Sequence, residues 1–223
     1  MMGNGFTLDW AYAIDALPIL VQGLKYTILI AVVGILIGFI IGIIVGLGRV
    51  SKNKFLFSIS TIYVEIIRGT PIMVQALYIY FALPMILGIK IDPLVAGVTT
   101  IAINAGAYIA EIARGAIEGV DKGQIEAGRS LGLTKFQTLY RITWPQAFRR
   151  MIPPLGNQFI ISLKDTSLLT VIGVGELTRQ GTIVVSSNFR AVEVYTAVAI
   201  LYLILTLSIS LGLRLIERRL HVK

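Results

Sequence analysis

The chain has 223 residues, of which 56% are apolar and 14% charged, and its mean hydropathy of +0.82 excludes an ordinary soluble domain. The net charge of +8 does not indicate a nucleic-acid partner, because the basic residues fall between apolar runs, where membrane orientation explains them. With no cysteine and a single histidine, His221, the sequence predicts no metal site and no catalytic site.

The chain begins with a predicted external amphipathic segment, residues 1–25, followed by an uncharged apolar run over 26–47. This run measures about 33 Å as a helix, which suits one membrane span. A cleaved signal peptide is the alternative, but Asp9 and Asp15 stand where that reading needs basic residues. Glycines recur every four residues and predict close helix packing, at Gly34, Gly38, Gly42 and Gly46.

The second apolar stretch, 55–89, is too long for one straight span. Glu65, Arg68 and Pro71 interrupt it, which predicts a helix broken near 69–71. A polar insertion of this kind inside a membrane span is a candidate functional feature.

Three further spans follow in chain order, at 93–113, 151–175 and 194–213. The middle one carries two charged residues, Lys164 and Asp165, near its centre. The sequence therefore predicts an all-α integral membrane protein with five transmembrane helices.

Residues 111–150 are the most polar part of the chain, with seven basic and four acidic residues. Counted over all connections, 14 basic residues fall on this side of the membrane and four on the other. The positive-inside rule then places the N-terminus outside and both the C-terminus and this loop in the cytoplasm. We expect a multi-pass protein of the cell membrane.

Within this loop, residues 122–145 predict a helix-turn-helix. Gly132 suits the left-handed turn that ends one helix, and Thr134 begins a capping box for the next, which Pro145 ends near Trp144. The second helix carries three apolar residues on one face, Phe136, Leu139 and Tyr140. An amphipathic helix on lipid headgroups and a knob for a soluble partner's groove both fit this pattern.

A resemblance to a known family favours the second interpretation, in which the loop docks in a groove of a soluble partner. The order Glu126-Ala127-Gly128, then Gly132, Ile142 and Pro145, resembles the signature loop of bacterial ATP-binding-cassette (ABC) importer permeases. Gly128 stands where a second alanine is usual in that family, and Trp144 where a leucine is usual. The segments Glu65–Pro71, with Gln75 after it, and Lys164–Leu169 narrow the resemblance to permeases for polar amino acids.

This resemblance implies a type I ABC importer permease domain over residues 26–223, in the inner membrane. Its partners would be a second permease copy or a close paralogue, a cytoplasmic ABC ATPase and an external substrate-binding protein. The chain has no phosphate-binding loop, so ATP and Mg²⁺ would be bound by the ATPase and this chain would be neither an enzyme nor a cofactor-binding protein. The resemblance assigns the ATPase-coupling role to Glu126, Ala127, Gly132, Phe136, Leu139, Tyr140 and Pro145.

Ionisable side chains inside a span cost about 2.5 to 3.5 kcal/mol and need a partner or a water-filled cavity. Glu65 and Arg68 are spaced to pair with each other, whereas Lys164 and Asp165 project about 100° apart on a helix. The amides in the spans either line a substrate path or join helices. The candidate substrate ligands are Asp165, Thr166, Gln75, Asn104, Glu65, Arg68 and Thr70.

The predicted function is the membrane subunit of an ATP-driven importer that moves a polar or basic amino acid into the cytoplasm by alternating access. Arginine, lysine or histidine is favoured, because Asp165 would attract a cationic side chain, and glutamine is the other expected substrate. The alternative for Asp165 is an ion pair with a cation on another helix. The alternative for the whole chain is an autonomous secondary transporter or channel, for which the docking loop has no evident use.

Overall fold

The computed structural model describes residues 7–219, and that range contains helices and turns without any strand. Residues 1–6 of the predicted external segment, together with His221 and Lys223, lie outside the described residues. The α-helices are α1 (Ala11–Arg49), α2 (Lys54–Arg68), α3 (Ile72–Leu77), α4 (Leu83–Leu87), α5 (Pro93–Glu118), α6 (Lys122–Ser130), α7 (Lys135–Thr138), α8 (Trp144–Asp165), α9 (Leu177–Asn188) and α10 (Ala191–Arg219).

Helix α1 is one continuous helix of 39 residues that includes Pro18. At this length it measures about 58 Å, well beyond the hydrocarbon core of a bilayer. The predicted boundary between an external segment and a first span, near residue 26, is therefore not a structural boundary within residues 11–49. Pro18 lies in the second turn of the helix and does not end it.

The four regularly spaced glycines of α1, Gly34, Gly38, Gly42 and Gly46, are buried against α5. A Cβ on Gly42 would stand 2.6 Å from the Cβ of Ile109, and one on Gly46 would stand 2.7 Å from the Cβ of Ala113. Both separations are far shorter than a van der Waals contact, so only glycine allows the two helices to approach so closely. The predicted packing role of the glycine stripe is confirmed.

The predicted break in the second apolar stretch is also present. Helix α2 ends at Arg68, and the helical segment that begins at Ile72 is bent from it by 102°. Pro71 has an extended backbone with ψ at 136°, which interrupts the helix. The bend leaves the carbonyl groups at the end of α2 open to side-chain donors.

The predicted end of a helix at Pro145 is wrong. The chain stays helical from Lys135 to Asp165, because a π-helical turn over Leu139–Thr143 precedes Pro145 in the first turn of α8. A second π-helical turn, Tyr78–Ala82, precedes Pro84 in the first turn of α4 in the same way. A proline lacks an N–H and clashes with the carbonyl one turn before it, and a widened turn relieves both problems.

Three helices, α1, α5 and α10, are long and apolar enough to cross a membrane, and the bent pair Lys54–Arg68 and Ile72–Leu87 makes a fourth candidate. Helix α8 is not among them, so the predicted count of five spans stays a prediction. After α8 the chain forms a 3₁₀ helix, Thr166–Ile172, and turns at Gly173 with φ at 82°. Helix α9, which follows, is too polar to have been predicted as a span.

Candidate functional site

A cavity of about 500 Å³ lies where α2 is broken, bounded by the linker to α3 and by α5 and α8. The broken helix supplies residues 68–72 to the wall, and α5 and α8 supply the other five lining residues. The lining residues are Arg68, Gly69, Thr70, Pro71, Ile72, Asn104, Tyr108, Gln158, Ile161 and Asp165.

Arg68 and Asp165 give the cavity wall its two opposite charges. The guanidinium of Arg68 lies 5.2 Å from the ring centroid of Tyr108, and its Nη1 atom lies 3.6 Å from Oε2 of Glu111. Asp165 is half-buried and forms no ion pair with another residue in the range 7–219. The alternative in which a cation on another helix neutralises Asp165 is thus not seen in the described chain.

Two buried amides also line the cavity. Asn104 on α5 donates through Nδ2 to Oε1 of Gln75 at 3.1 Å, and Gln158 on α8 donates through Nε2 to Oγ of Ser162 at 3.1 Å. An amide group can both donate and accept hydrogen bonds. The wall therefore offers a cation, a carboxylate and two amides to a small polar molecule.

Gln75 does not line the cavity, but its side chain stabilises the break between α2 and α3. Its Nε2 atom donates to the carbonyl oxygens of Ile67 and Thr70 at 2.7 and 3.0 Å, and its Oε1 atom accepts from Asn104. Thr70 is in the wall, and its hydroxyl donates to the carbonyl of Ile66 at 2.9 Å. These bonds satisfy carbonyl groups that the break would otherwise leave unpaired.

Thr166 is fully buried, does not line the cavity, and donates to the carbonyl of Leu163 at 2.7 Å. Glu65 is exposed and does not line the cavity either. The predicted ion pair between Glu65 and Arg68 is not formed, because Arg68 turns toward α5 instead. The structure therefore brings Asp165, Asn104, Arg68 and Thr70 together and leaves Gln75, Thr166 and Glu65 outside the wall.

Next to the cavity, Glu111 of α5 joins three arginines in a group that we call the Glu111 cluster, made of Glu111, Arg49, Arg68 and Arg114. Arg49 lies 3.0 Å from Oε1 and Arg114 3.0 Å from Oε2, whereas Arg68 is the most distant at 3.6 Å. The cluster links α1, α2 and α5 at one depth. Because two closer arginines already occupy the carboxylate, Arg68 is the least neutralised of the three.

The loop over residues 122–145 folds as a compact helical hairpin. Gly132 adopts φ at 86°, in the left-handed region, and Thr134 forms both bonds of a capping box with Gln137. A Cβ on Gly128 would overlap the Cδ1 atom of Ile142, so glycine lets the two arms pack closely. Pro145 stands in the first turn of α8 and connects the loop directly to the cavity helix.

The outer face of this loop presents two aromatic side chains to its surroundings. Phe136 is 75% exposed and Tyr140 is 67% exposed, and their rings are stacked with centroids 6.4 Å apart. Glu126 and Ala127 are exposed on the preceding arm, and Leu139 is half-buried. A rigid loop with exposed aromatic residues is a typical protein-docking surface.

Comparison with known proteins identifies the class of molecule. Residues 34–222 match the family described as binding-protein-dependent transport system inner membrane component. The glutamine transport system permease protein GlnP of Escherichia coli K12 is 50% identical over 215 residues, covering 96% of this chain and 98% of that protein. The chain belongs to this family of inner membrane transport components.

Two further relatives agree with this family. The arginine transport system permease protein ArtQ of Bacillus subtilis is 33% identical over 213 residues, covering 96% of this chain and 97% of that protein. A crystal structure described as an amino acid ABC transporter with histidines matches with a TM-score of 0.91 and 39% identity, covering 96% of this chain and all of the matched chain. The predicted type I importer permease fold is confirmed.

Family membership settles several predictions about the protein as a whole. This permease is a multi-pass inner membrane subunit of an ABC importer that works with a binding protein and an ATPase. ATP hydrolysis belongs to the separate ATPase subunit, so the permease is a transport component and not an enzyme. The secondary transporter and channel alternatives do not describe this family.

Three residues in or beside this site were not predicted from the sequence. Gln158 precedes Asp165 by seven residues, or two helical turns, and Tyr108 follows Asn104 by four, so helical spacing places each beside a predicted ligand. In the sequence, Glu111 only marks the polar end of the predicted span 93–113. Its spacing to Arg114 was the available signal, but its partners on α1 and α2 are set by tertiary packing.

Proposed function

We propose that this permease imports a polar amino acid, and that glutamine is its preferred substrate. The observation that carries the proposal is the cavity wall, in which one cation and one carboxylate stand beside two amides. A free amino acid at neutral pH carries one carboxylate and one ammonium group. Once the cation and the carboxylate of the wall bind these two groups, the two amides remain to form hydrogen bonds with a neutral polar side chain.

Arg68 is proposed to bind the substrate carboxylate. A guanidinium binds a carboxylate through paired hydrogen bonds, and Arg68 is the least neutralised arginine of the Glu111 cluster. Asp165 is proposed to accept the ammonium group, and Asn104 and Gln158 the side-chain amide. Thr70 and the turn around it would form the floor of the site, while Gln75 holds that turn in place.

A basic amino acid is the second candidate substrate, and Asp165 is the observation that favours it. A carboxylate without an ion-pair partner in the described residues would bind the cationic side chain of arginine, lysine or histidine if the substrate lay in the reverse orientation. The identity to GlnP favours glutamine, and the likeness to ArtQ shows that a relative of this chain is named for arginine transport.

For the whole assembly we propose that the N-terminus lies outside and the C-terminus and the 122–145 loop lie in the cytoplasm. The loop would dock in a groove of the ATPase through Phe136, Leu139 and Tyr140, with Glu126, Ala127 and Gly132 setting its shape. The membrane unit would be a pair, formed with a second copy or a close paralogue. ATP and Mg²⁺ would bind to the ATPase alone, and their binding would switch the cavity between its outward and inward openings.

Asp165→Asn tests the substrate assignment. The variant is incorporated into liposomes with the ATPase and the binding protein, and uptake of labelled glutamine and arginine is measured separately. If Asp165 binds the ammonium group, uptake of both should fall at least about tenfold while basal ATP hydrolysis continues. A fall for arginine alone would favour the basic-substrate candidate, and normal uptake of both would show that Asp165 is not a substrate ligand.

A further inference from the structure

Two charged residues in the predicted spans 55–89 and 151–175 remain without an explanation. Glu65 on α2 and Lys164 on α8 are both exposed, and neither makes an ion pair within residues 7–219. Charges facing lipid at this depth would cost about 2.5 to 3.5 kcal/mol each. Something other than lipid must therefore cover them in the membrane.

Their position relative to the cavity is similar on the two helices. Glu65 precedes the cavity residue Gly69 by four residues and lies outside the wall, one turn from the end of α2. Lys164 follows the cavity residue Ile161 by three residues and lies one residue from the end of α8. Since both helices end at the same cavity, the two charges flank it at a similar depth.

The charges are opposite, and each stands on a different helix. In a pair of identical chains related by a two-fold axis, a contact between residue i of one chain and residue j of the other occurs twice. A surface that carries one unpaired acid and one unpaired base is complementary to itself under this symmetry. The contact and its symmetry copy would thus neutralise all four charges of the pair.

We propose that a second copy of this chain covers the open side of the cavity, with Glu65 of each copy paired to Lys164 of the other. The inference rests on the proposed paired permease and adds the contact that closes it. Each copy would then contribute a charged residue to the edge of its partner's cavity, so the site of one chain would be complete only in the pair. The pairing would also keep Lys164 from neutralising Asp165.

Cross-linking tests the contact directly, because the chain contains no cysteine and gives no background reaction. Chains carrying E65C and chains carrying K164C, with different affinity tags, are expressed together with the ATPase and the binding protein. A short bifunctional thiol reagent is then applied to membranes. We expect a cross-linked dimer that carries both tags. As a control, K164C is combined with Ile204→Cys, which is 57% exposed on α10, and this pair should give little product.

Absence of the mixed dimer, or an equal yield from the control pair, would overturn the proposal. This readout needs no substrate, so it is independent of whether the permease carries glutamine. Detection of the mixed-tag dimer also distinguishes a contact between two copies from an arrangement in which both charges only face a water-filled path.

Charge reversal gives a second, functional test. E65K alone and K164E alone should each lower uptake at least about tenfold, because like charges would face each other across the contact. The double variant E65K/K164E restores opposite charges and should recover uptake to within about threefold of the parent. If the double variant is as impaired as the single variants, the two residues do not pair.

Discussion

The Nη2 atom of Arg49 lies 3.0 Å from Oε1 of Glu111, and this contact ties the end of α1 to α5. Arg49 also donates through Nη1 to the hydroxyl of Thr61 on α2 at 2.7 Å. The side chains of Arg49 and Glu111 are only 12% and 16% exposed. The Glu111 cluster therefore joins three helices beside the cavity, with the pair of Arg49 and Glu111 mostly withdrawn from water and Arg68 and Arg114 41% and 32% exposed.

Replacing Glu111 with glutamine should destabilise the permease. Three arginines would lose their shared carboxylate; because Glu111 is partly buried, we expect a cost between that of a surface pair, about 0.5 kcal/mol, and that of a buried pair, about 3 kcal/mol. Glu118→Gln is the matched control, because Glu118 contacts only the exposed side of Arg114 and such surface pairs contribute about 0.5 kcal/mol. Thermal unfolding in detergent should show a clear loss for the first variant and little for the second; equal melting temperatures would contradict a structural role for the cluster.

Gln75→Leu should destabilise the bent segment between α2 and α3. The leucine keeps the volume but leaves the carbonyl of Thr70 and the amide of Asn104 without partners, at a cost of about 1 to 3 kcal/mol each, and leaves the carbonyl of Ile67 with only a 3.5 Å bond from the Thr70 hydroxyl. Gln124→Leu, at an exposed position on α6, serves as the control in the same unfolding measurement. If both variants unfold alike, Gln75 does not brace the break.

Gly132→Val should abolish coupling to the ATPase. A β-branched residue strongly disfavours φ at 86°, so the turn between α6 and α7 would be distorted, whereas asparagine tolerates this region. We expect Gly132→Val to insert normally yet lose ATPase co-purification and transport, and Gly132→Asn to retain both. Normal transport by the valine variant would remove the basis for the coupling assignment.

Phe136→Ala and Tyr140→Ala should each reduce co-purification of the ATPase without changing the melting temperature. Both side chains are largely exposed, so they contribute little to folding, and aromatic side chains commonly carry much of an interface's binding energy. Phe189→Ala is the control, because Phe189 is 86% exposed at the end of α9, away from this loop. Full retention of the ATPase by both loop variants would place the docking surface elsewhere.

The features that the sequence predicted correctly depend on local chemistry. Pro71 breaks its helix because of its own backbone, the capping box at Thr134 is a four-residue pattern, and the spacing of the glycines in α1 defines one helical face. Such features need no knowledge of the rest of the fold. The same holds for the family resemblance, which rests on short ordered motifs.

The features that were missed have different physical origins. Pro145 was predicted to end a helix, but the π-helical turn before it removes the conflict. Arg68 was paired with Glu65 on spacing alone, whereas packing presents Glu111 from another helix. Helix α9 was missed because its polar sequence has no membrane signal. The three errors thus arise from a local change of helix geometry, a partner on another helix and a helix without a membrane signal.

Uptake into proteoliposomes tests the central claim, that this permease imports a polar amino acid at the expense of ATP hydrolysed by a separate subunit. The permease, its ATPase and its binding protein are reconstituted, and labelled glutamine is supplied on the side of the binding protein. We predict that glutamine accumulates against its gradient only when ATP and Mg²⁺ are present on the ATPase side and that omitting the ATPase abolishes accumulation. Equal accumulation by the permease alone, or ATP hydrolysis without uptake of glutamine or any basic amino acid, would contradict the account.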